Sequence, residues 1–236
     1  MSFPKLCAAA LICVLAVPAS AAVVTNGDFE DTSSSTPGHG LVNGQELNSL
    51  NVGGGATWDV YRSIPGWTTE AGAGIEVQTN RTLSSIDAHS GSHYIELDSH
   101  PRSTSNSTMK QMLSLAAGVY DLTFFYSPRN SDVNTNGIAY SVVNHANSNI
   151  LLGAVSGPSA TQGTKVGSWT KVSGRFTVGV NDSPLLLKFA ATGTKDTLGG
   201  FIDSVSISAV PVPAGLPLLM SAMAGLAWMR RRKASA

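Results

Sequence analysis

The chain has 236 residues, 42% hydrophobic and 13% charged. That charged share is about half the usual ~25%, which excludes a highly charged disordered chain. Fifteen basic and fifteen acidic residues cancel, but Lys5 and the run Arg230 to Lys233 sit at the two ends; without those five, ten basic residues face fifteen acidic ones, a net −5. A mildly acidic body argues against a nucleic-acid partner, which needs a basic face for phosphates.

Residues 1–21 read as a secretory signal peptide. Lys5 is a positive n-region, Leu6 to Val17 an apolar h-region, and Ala19-Ser20-Ala21 a small-x-small cleavage pattern. Both cysteines, Cys7 and Cys13, lie in that leader. The mature protein would then hold no disulfide, thiolate zinc site or cysteine nucleophile.

The body, 22–209, is expected to be a single all-β domain, an antiparallel β-sandwich. Helical periodicity is scarce, and Gly, Ser, Asn and Thr clusters punctuate the chain. Candidate strands are Ile75–Gln78, His93–Leu97, Lys110–Leu115, Gly118–Tyr126, Gly137–Val143, Ile150–Val155, Trp169–Val178, Pro184–Ala190 and Phe201–Ser208. The clearest alternation puts Tyr120, Leu122, Phe124 and Tyr126 on an inward face. Residues 31–57 and 99–108 read as long polar loops. In the last strand Asp203 alternates with Phe201, Val205 and Ile207, so it needs a partner or a metal.

The opening Asn26-Gly27-Asp28-Phe29-Glu30 and the closing GGFIDSVSI, with IPGW, GSHYIELD and GVYDLTFFYSPR between them, resemble the galactose-binding-like jelly rolls of carbohydrate-binding modules. The resemblance implies first and last strands side by side. It also implies a structural calcium held by Glu30 and Asp203, hard oxygen ligands of the kind calcium takes. Asp132 to Gly137 matches the opening of a calcium loop, but Val143 stands where a bidentate Glu belongs, so a polar turn is expected.

Sugar binding needs aromatic faces beside polar groups. Trp58 and Tyr61 are the candidate exposed platforms, with Tyr126 and Arg129 as a polar rim; Trp67 and Trp169 are expected in the core. No nucleophile elbow, zinc-binding H-E-x-x-H or phosphate-binding loop occurs, so no catalytic residue is assigned. Glu96 and Asp98 point together from one strand, as a polar sheet face or an ion site would. His89 and His93 have a helical metal spacing in what reads as strand sequence.

At 210–236, Val210-Pro211-Val212-Pro213-Ala214 precedes an apolar stretch from Leu216 to Met229 and the cluster Arg230, Arg231, Arg232, Lys233. At ~1.5 Å per residue the stretch reaches about 21 Å of a ~30 Å bilayer core. This ordered set resembles the PEP-CTERM sorting signals of bacteria, in the VPLPA variant. The resemblance implies a C-terminal transmembrane sorting helix in the inner membrane, processing by an exosortase after signal peptidase, and delivery to the cell envelope or an exopolysaccharide matrix. The combined expectation is an exported, non-catalytic binder of polysaccharide. The alternatives are a structural or adhesive surface protein without a sugar site and, behind it, a glycoside hydrolase or lyase.

Overall fold

A computed structural model describes residues 23–37, 42–50, 57–80, 82–101, 103, 105–156, 166–211 and 223. The signal peptide expected at 1–21 lies outside them, as do Val212, Pro213, Ala214, Arg230, Arg231 and Arg232 of the sorting motif. Among the described residues no helix is long and apolar enough to cross a membrane.

Twelve strands follow in chain order: β1 (Thr36–Pro37), β2 (Trp58–Ile64), β3 (Trp67–Ala71), β4 (Ile75–Thr79), β5 (His93–Glu96), β6 (Thr108–Leu113), β7 (Gly118–Ser127), β8 (Gly137–Asn144), β9 (Ile150–Ser156), β10 (Thr170–Val178), β11 (Leu185–Thr192) and β12 (Phe201–Ala209). One short 3-10 turn, Leu47–Ser49, is the only named helical element among the described residues. All nine expected strands are present, each shifted by at most two residues at either end.

The strands are joined antiparallel in the order β10-β7-β12-β5-β4-β2-β3-β6-β11-β8-β9, with β1 on β2. The path folds over at the β2–β3 hairpin, so its two halves face each other. Phe124 of β7 meets Tyr140 of β8 and Phe189 of β11, each at 5.0 Å between ring centroids. Leu122, Ile75, Val77, Ile95 and Ile202 from one half share that core with Met109, Ile138, Val142, Leu185 and Leu187 from the other. The result is a sandwich drawn from one continuous hydrogen-bonded path.

The β2–β3 hairpin was not foreseen. Pro65 and Gly66 form its tip, and Gly66 adopts φ +80°. Proline presets the first corner and glycine accepts the left-handed second, which is the chemistry of a two-residue reversal. The hairpin carries Trp67 into the core, as expected, where it is 1% exposed. It buries Tyr61 as well.

The last strand differs from simple alternation. Ile202, Val205 and Ile207 face the core, while Phe201 joins a separate cluster with Ile86 and Tyr94 on the outer face. The pairing of β12 with β7 slips between Asp203 and Ser206, and Ser204 has φ +51°. A bulge at Ser204 resets the phase, so Asp203 shares its face with Phe201 but not with Val205 or Ile207.

The two chain ends of the domain meet: Val205 N donates to Gly27 O at 2.7 Å, and a Cβ on Gly27 would lie 2.0 Å from Val205 O. Only glycine allows that approach.

Candidate functional site

Two carboxylates converge on one loop, 89–93, between β4 and β5. Glu30 Oε1 accepts from Ser92 N at 2.8 Å and His93 N at 2.7 Å; Glu30 Oε2 accepts from Ser92 Oγ at 3.0 Å and lies 3.0 Å from His93 Nδ1. Asp203 Oδ2 accepts from Ser90 N at 3.0 Å, and its Oδ1 from Ser204 N. Gly91 sits between them; a Cβ there would lie 2.4 Å from Glu30 Cδ. The expected proximity of Glu30 and Asp203 is therefore what the structure has.

Their charge states differ. Partial burial pushes Glu30 upward, but the Ser92 and His93 amides and the His93 ring outweigh it, so Glu30 sits below the usual carboxylate value. Burial pushes Asp203 up to about 7, helped by the negative charge of Glu30 and opposed by the Ser90, Ser204 and His89 amides. A buried acid beside a second acid, with His93 as the basic partner of the pair, fits a divalent cation by charge. Asp203 Oδ2 accepts from Ser90 N and Oδ1 from Ser204 N, with Ser204 Oγ at 3.5 Å from Oδ1. Glu30 offers less: each of its oxygens already meets two donors, so a calcium ion would have to displace one of them, and among the described residues no group of three or more His, Cys, Asp or Glu side chains could hold a metal.

Outward from this loop runs a groove. A cavity of about 560 Å³ is lined by Asp28, Ser90, Thr123, Phe125, Lys171, Ser204 and Ser206, among others. A second, about 460 Å³, adjoins it through Thr123 and Lys171 and continues to Ser173 and Arg175. Together they follow the outer faces of β7, β10 and β12. Thr123 Oγ1 and Ser206 Oγ are 2.7 Å apart, and Arg175 holds Asp121 bidentately at 2.7 and 2.9 Å. Beside the hydroxyls, Phe125 lines the same depression. The exposed His89 ring stacks on half-buried Phe125, and Trp169 meets His89 edge-on at 6.2 Å. His89 Nδ1 also lies 2.8 Å from Ser204 Oγ. The groove thus offers flat apolar surface next to hydroxyls and a cation, the two things a sugar ring engages.

Trp169, expected in the core, is half-buried and packs against the smaller cluster of Ile86, Tyr94 and Phe201. Its indole donates to Asp87 O at 2.8 Å on the outer face. His89 and His93 share no ligand position, since each faces a different partner.

The sugar platform expected at the β2 end does not form as imagined. Tyr61 is wholly buried, its hydroxyl donating to Gln45 O at 2.8 Å, because it points into the core from β2. Tyr126 is 1% exposed, its hydroxyl donating to Asn136 O at 2.9 Å. Neither presents an open ring face. Trp58 is half-buried and packs on the His100 ring at 4.7 Å. Arg129 is committed to an ion pair with Glu96.

That pair belongs to a buried polar knot on the outer face of β4 and β5. Glu76 and Glu96 oppose each other across the ladder, and both are essentially inaccessible. The Gln78 amide donates to both carboxylates, Gly199 N donates to Glu96 at 2.7 Å, and His100 N donates to Glu76 at 3.1 Å. Burial drives Glu96 well above the ordinary carboxylate value, Glu76 adds to this, and Arg129 and the Gly199 amide oppose it. The 130–136 segment is a polar turn, as expected: Asn136 donates to Asn130 O and Asp132 O, and Asp132 accepts from Asn134 N.

No family model and no curated protein matches the chain. Among solved structures it is similar to the Stig cyclase Fisc from Fischerella sp. TAU in complex with (3Z)-3-(1-methyl-2-pyrrolidinylidene)-3H-indole, at 14% identity over 81% of this chain and 98% of that one, TM-score 0.51. It is similar to TmCBM61 in complex with β-1,4-galactotriose at 19% identity over 61% and 88%, TM-score 0.41. It is also similar to the K1 cleaved adhesin domain of Lys-gingipain from Porphyromonas gingivalis W83, at 15% identity over 62% and 92%, TM-score 0.43. The first likeness shows a shared β-fold.

Proposed function

We propose that this chain is an exported, non-catalytic binder of carbohydrate chains, which it takes up along the outer groove. The observation that carries the reading is a pair of adjoining shallow depressions on the outer face, lined by hydroxyls, Lys171 and Phe125, with the exposed His89 ring stacked on Phe125. Its length along the strands suits a linear polymer, since successive sugar rings would meet aromatic surface and then hydroxyls. The opposed carboxylates Glu76 and Glu96 favour a non-catalytic role. Both are buried and bridged by Gln78, so no substrate bond has access to them.

Calcium belongs to the same proposal. Glu30 and Asp203 would hold it, supplying charge that ties the first residues of the domain to the last strand. The sequence at 1–21 and 210–236 supports export by signal peptidase, transient insertion in the inner membrane, exosortase processing and a final place at the cell surface or in a polysaccharide matrix.

Affinity electrophoresis in gels containing purified bacterial exopolysaccharide, β-linked galactan or xylan tests the reading. The native chain is expected to be retarded in at least one gel, and the Phe125→Ala, Lys171→Ala double variant at least tenfold less. Equal retardation of native and variant chains, or none in any gel, overturns it. The adhesive alternative then stands, with self-association in solution as its own signature.

A further inference from the structure

Strand β10 ends the hydrogen-bonded path, and its outward side chains include Lys171, Ser173 and Arg175, all exposed. The residues between them turn inward: Val172 and Phe176 pack with the core, and a Cβ on Gly174 would lie 2.9 Å from Leu152 Cδ2 of β9. The register carries this pattern across the sheet. Lys171 lies opposite Phe125, Ser173 opposite Thr123 and Arg175 opposite Asp121. On the far side of β7, Ser206 of β12 lies opposite Thr123 and Ser208 opposite Asp121. A row of hydroxyls, Ser173–Thr123–Ser206, therefore runs between a row that begins at Lys171 and one that begins at Arg175. Four residues apart on one strand, the two cationic positions are separated by about 13 Å of backbone.

The second depression lies between these positions. It is lined by Asp121, Thr123, Lys171, Ser173, Gly174 and Arg175, so two cations face one carboxylate. Asp28 borders the adjoining depression and not this one. Asp121 is already engaged, accepting from Nε and Nη2 of Arg175 at 2.7 and 2.9 Å. The Nη1 amino group of Arg175 meets no acceptor among the described residues, on a side chain that is 64% exposed. Lys171 likewise forms no ion pair among the described residues, whereas Lys110 and Lys188 share Glu70 and Arg129 holds Glu96. A locally positive hollow thus sits on a body whose overall charge is negative.

A neutral sugar chain would use the hydroxyl row and Phe125 and leave both free cationic groups without a counter-charge. Carboxylates on the sugar units supply one, through charge-assisted hydrogen bonds about twice as strong as neutral ones. A nucleic acid needs a longer basic face than two cations make. We propose, resting on the carbohydrate-binding reading, that the bound chain is an acidic polysaccharide with uronic acid units. Its carboxylates meet Lys171 Nζ and the free end of Arg175, and its hydroxyls meet the Ser173–Thr123–Ser206 row.

Affinity electrophoresis of the full chain tests this, with polygalacturonate and alginate, each beside its own carboxyl-reduced form, and calcium kept below the level that gels either polymer. Reduction turns each carboxylate into a primary alcohol and leaves the sugar backbone in place. The native chain is expected to be retarded by at least one uronate and at least tenfold less by the reduced form of that polymer. Lys171→Gln and Arg175→Gln should each weaken uronate retardation several-fold and leave retardation by the reduced form unchanged; both side chains are exposed, so neither change disturbs the core. Retardation by the uronate should also fall as salt rises from about 50 to about 300 mM. Equal retardation by a uronate and its reduced form overturns the acidic preference and leaves carbohydrate binding standing, as does retention by neutral galactan and by no uronate. Uronate retardation that both variants keep in full overturns the assignment to this depression. No retardation in any gel overturns this proposal together with the carbohydrate reading.

Discussion

Asp203 offers a quantitative check on the electrostatics at the junction of the domain's ends. Its ordinary value is 3.8, and burial with the nearby Glu30 charge lifts it to about 7 in the fold. An acid whose folded value is raised is protonated more readily when folded than when unfolded. Below about pH 4 both states hold the proton, and Asp203 contributes nothing to the pH dependence. Between pH 4 and 7 the unfolded chain releases its proton while the folded chain keeps it, so stability falls as pH rises. Above pH 7 the loss is complete. Three units at ~1.4 kcal/mol each put the full loss at ~4 kcal/mol, an upper bound because the folded site relaxes and admits water. The assay is urea unfolding from pH 4 to 8 in excess chelator, comparing the native chain with Asp203→Asn. The asparagine loses one amide hydrogen bond, a pH-independent cost of ~1 kcal/mol. The difference between the two chains should therefore change by several kcal/mol across this window, with Asp203→Asn relatively more stable at pH 8 than at pH 4. Curves that stay parallel within ~1 kcal/mol would refute the raised acid value of buried Asp203.

Arg129→Ala should destabilise the domain by ~3 kcal/mol at pH 7, because Glu96 and Glu76 would be left buried without their guanidinium. The loss should shrink toward pH 5, where a proton can replace the cation; denaturant unfolding at both pH values would show it. Gly91→Ala puts a Cβ 2.4 Å from Glu30 Cδ at a residue with φ +66°. A cost of ~2 kcal/mol is expected, a fall of about 4–8 °C in melting temperature by calorimetry.

Much of the architecture was legible because it rests on period-two patterning. Tyr120, Leu122, Phe124 and Tyr126 do face inward, and nine strands lie where alternation and turn residues placed them. The β2–β3 hairpin escaped because Trp58–Ile64 mixes charged and apolar side chains on both faces, Asp59 and Arg62 included, so no clean alternation marks it. That single omission misplaced Tyr61, whose segment was not among the candidate strands. The bulge at Ser204 was invisible for a different reason. A serine at positive φ has no compositional signature, yet it reverses the facing of Val205 and Ile207 relative to Asp203. The nearness of Glu30 and Asp203 was legible through motif resemblance; no local pattern encodes an approach between residues so far apart in sequence. The groove could not be read from one segment either. It takes Ser90 from a loop, Thr123 and Phe125 from β7, Lys171 from β10 and Ser204 and Ser206 from β12, and only the strand order makes them neighbours.

Strand β12 is flanked on both sides, by β7 and β5, and Val210 N still bonds to Val119 O beyond its end. A pull transmitted along the backbone past Ala209 therefore enters through an interior strand. The pairing with β7 runs from Phe201 to Ala209 while β5 adds only Phe201 and Ile202, so the load near Ala209 falls on the β7 ladder and reaches the doubly flanked part of the strand last.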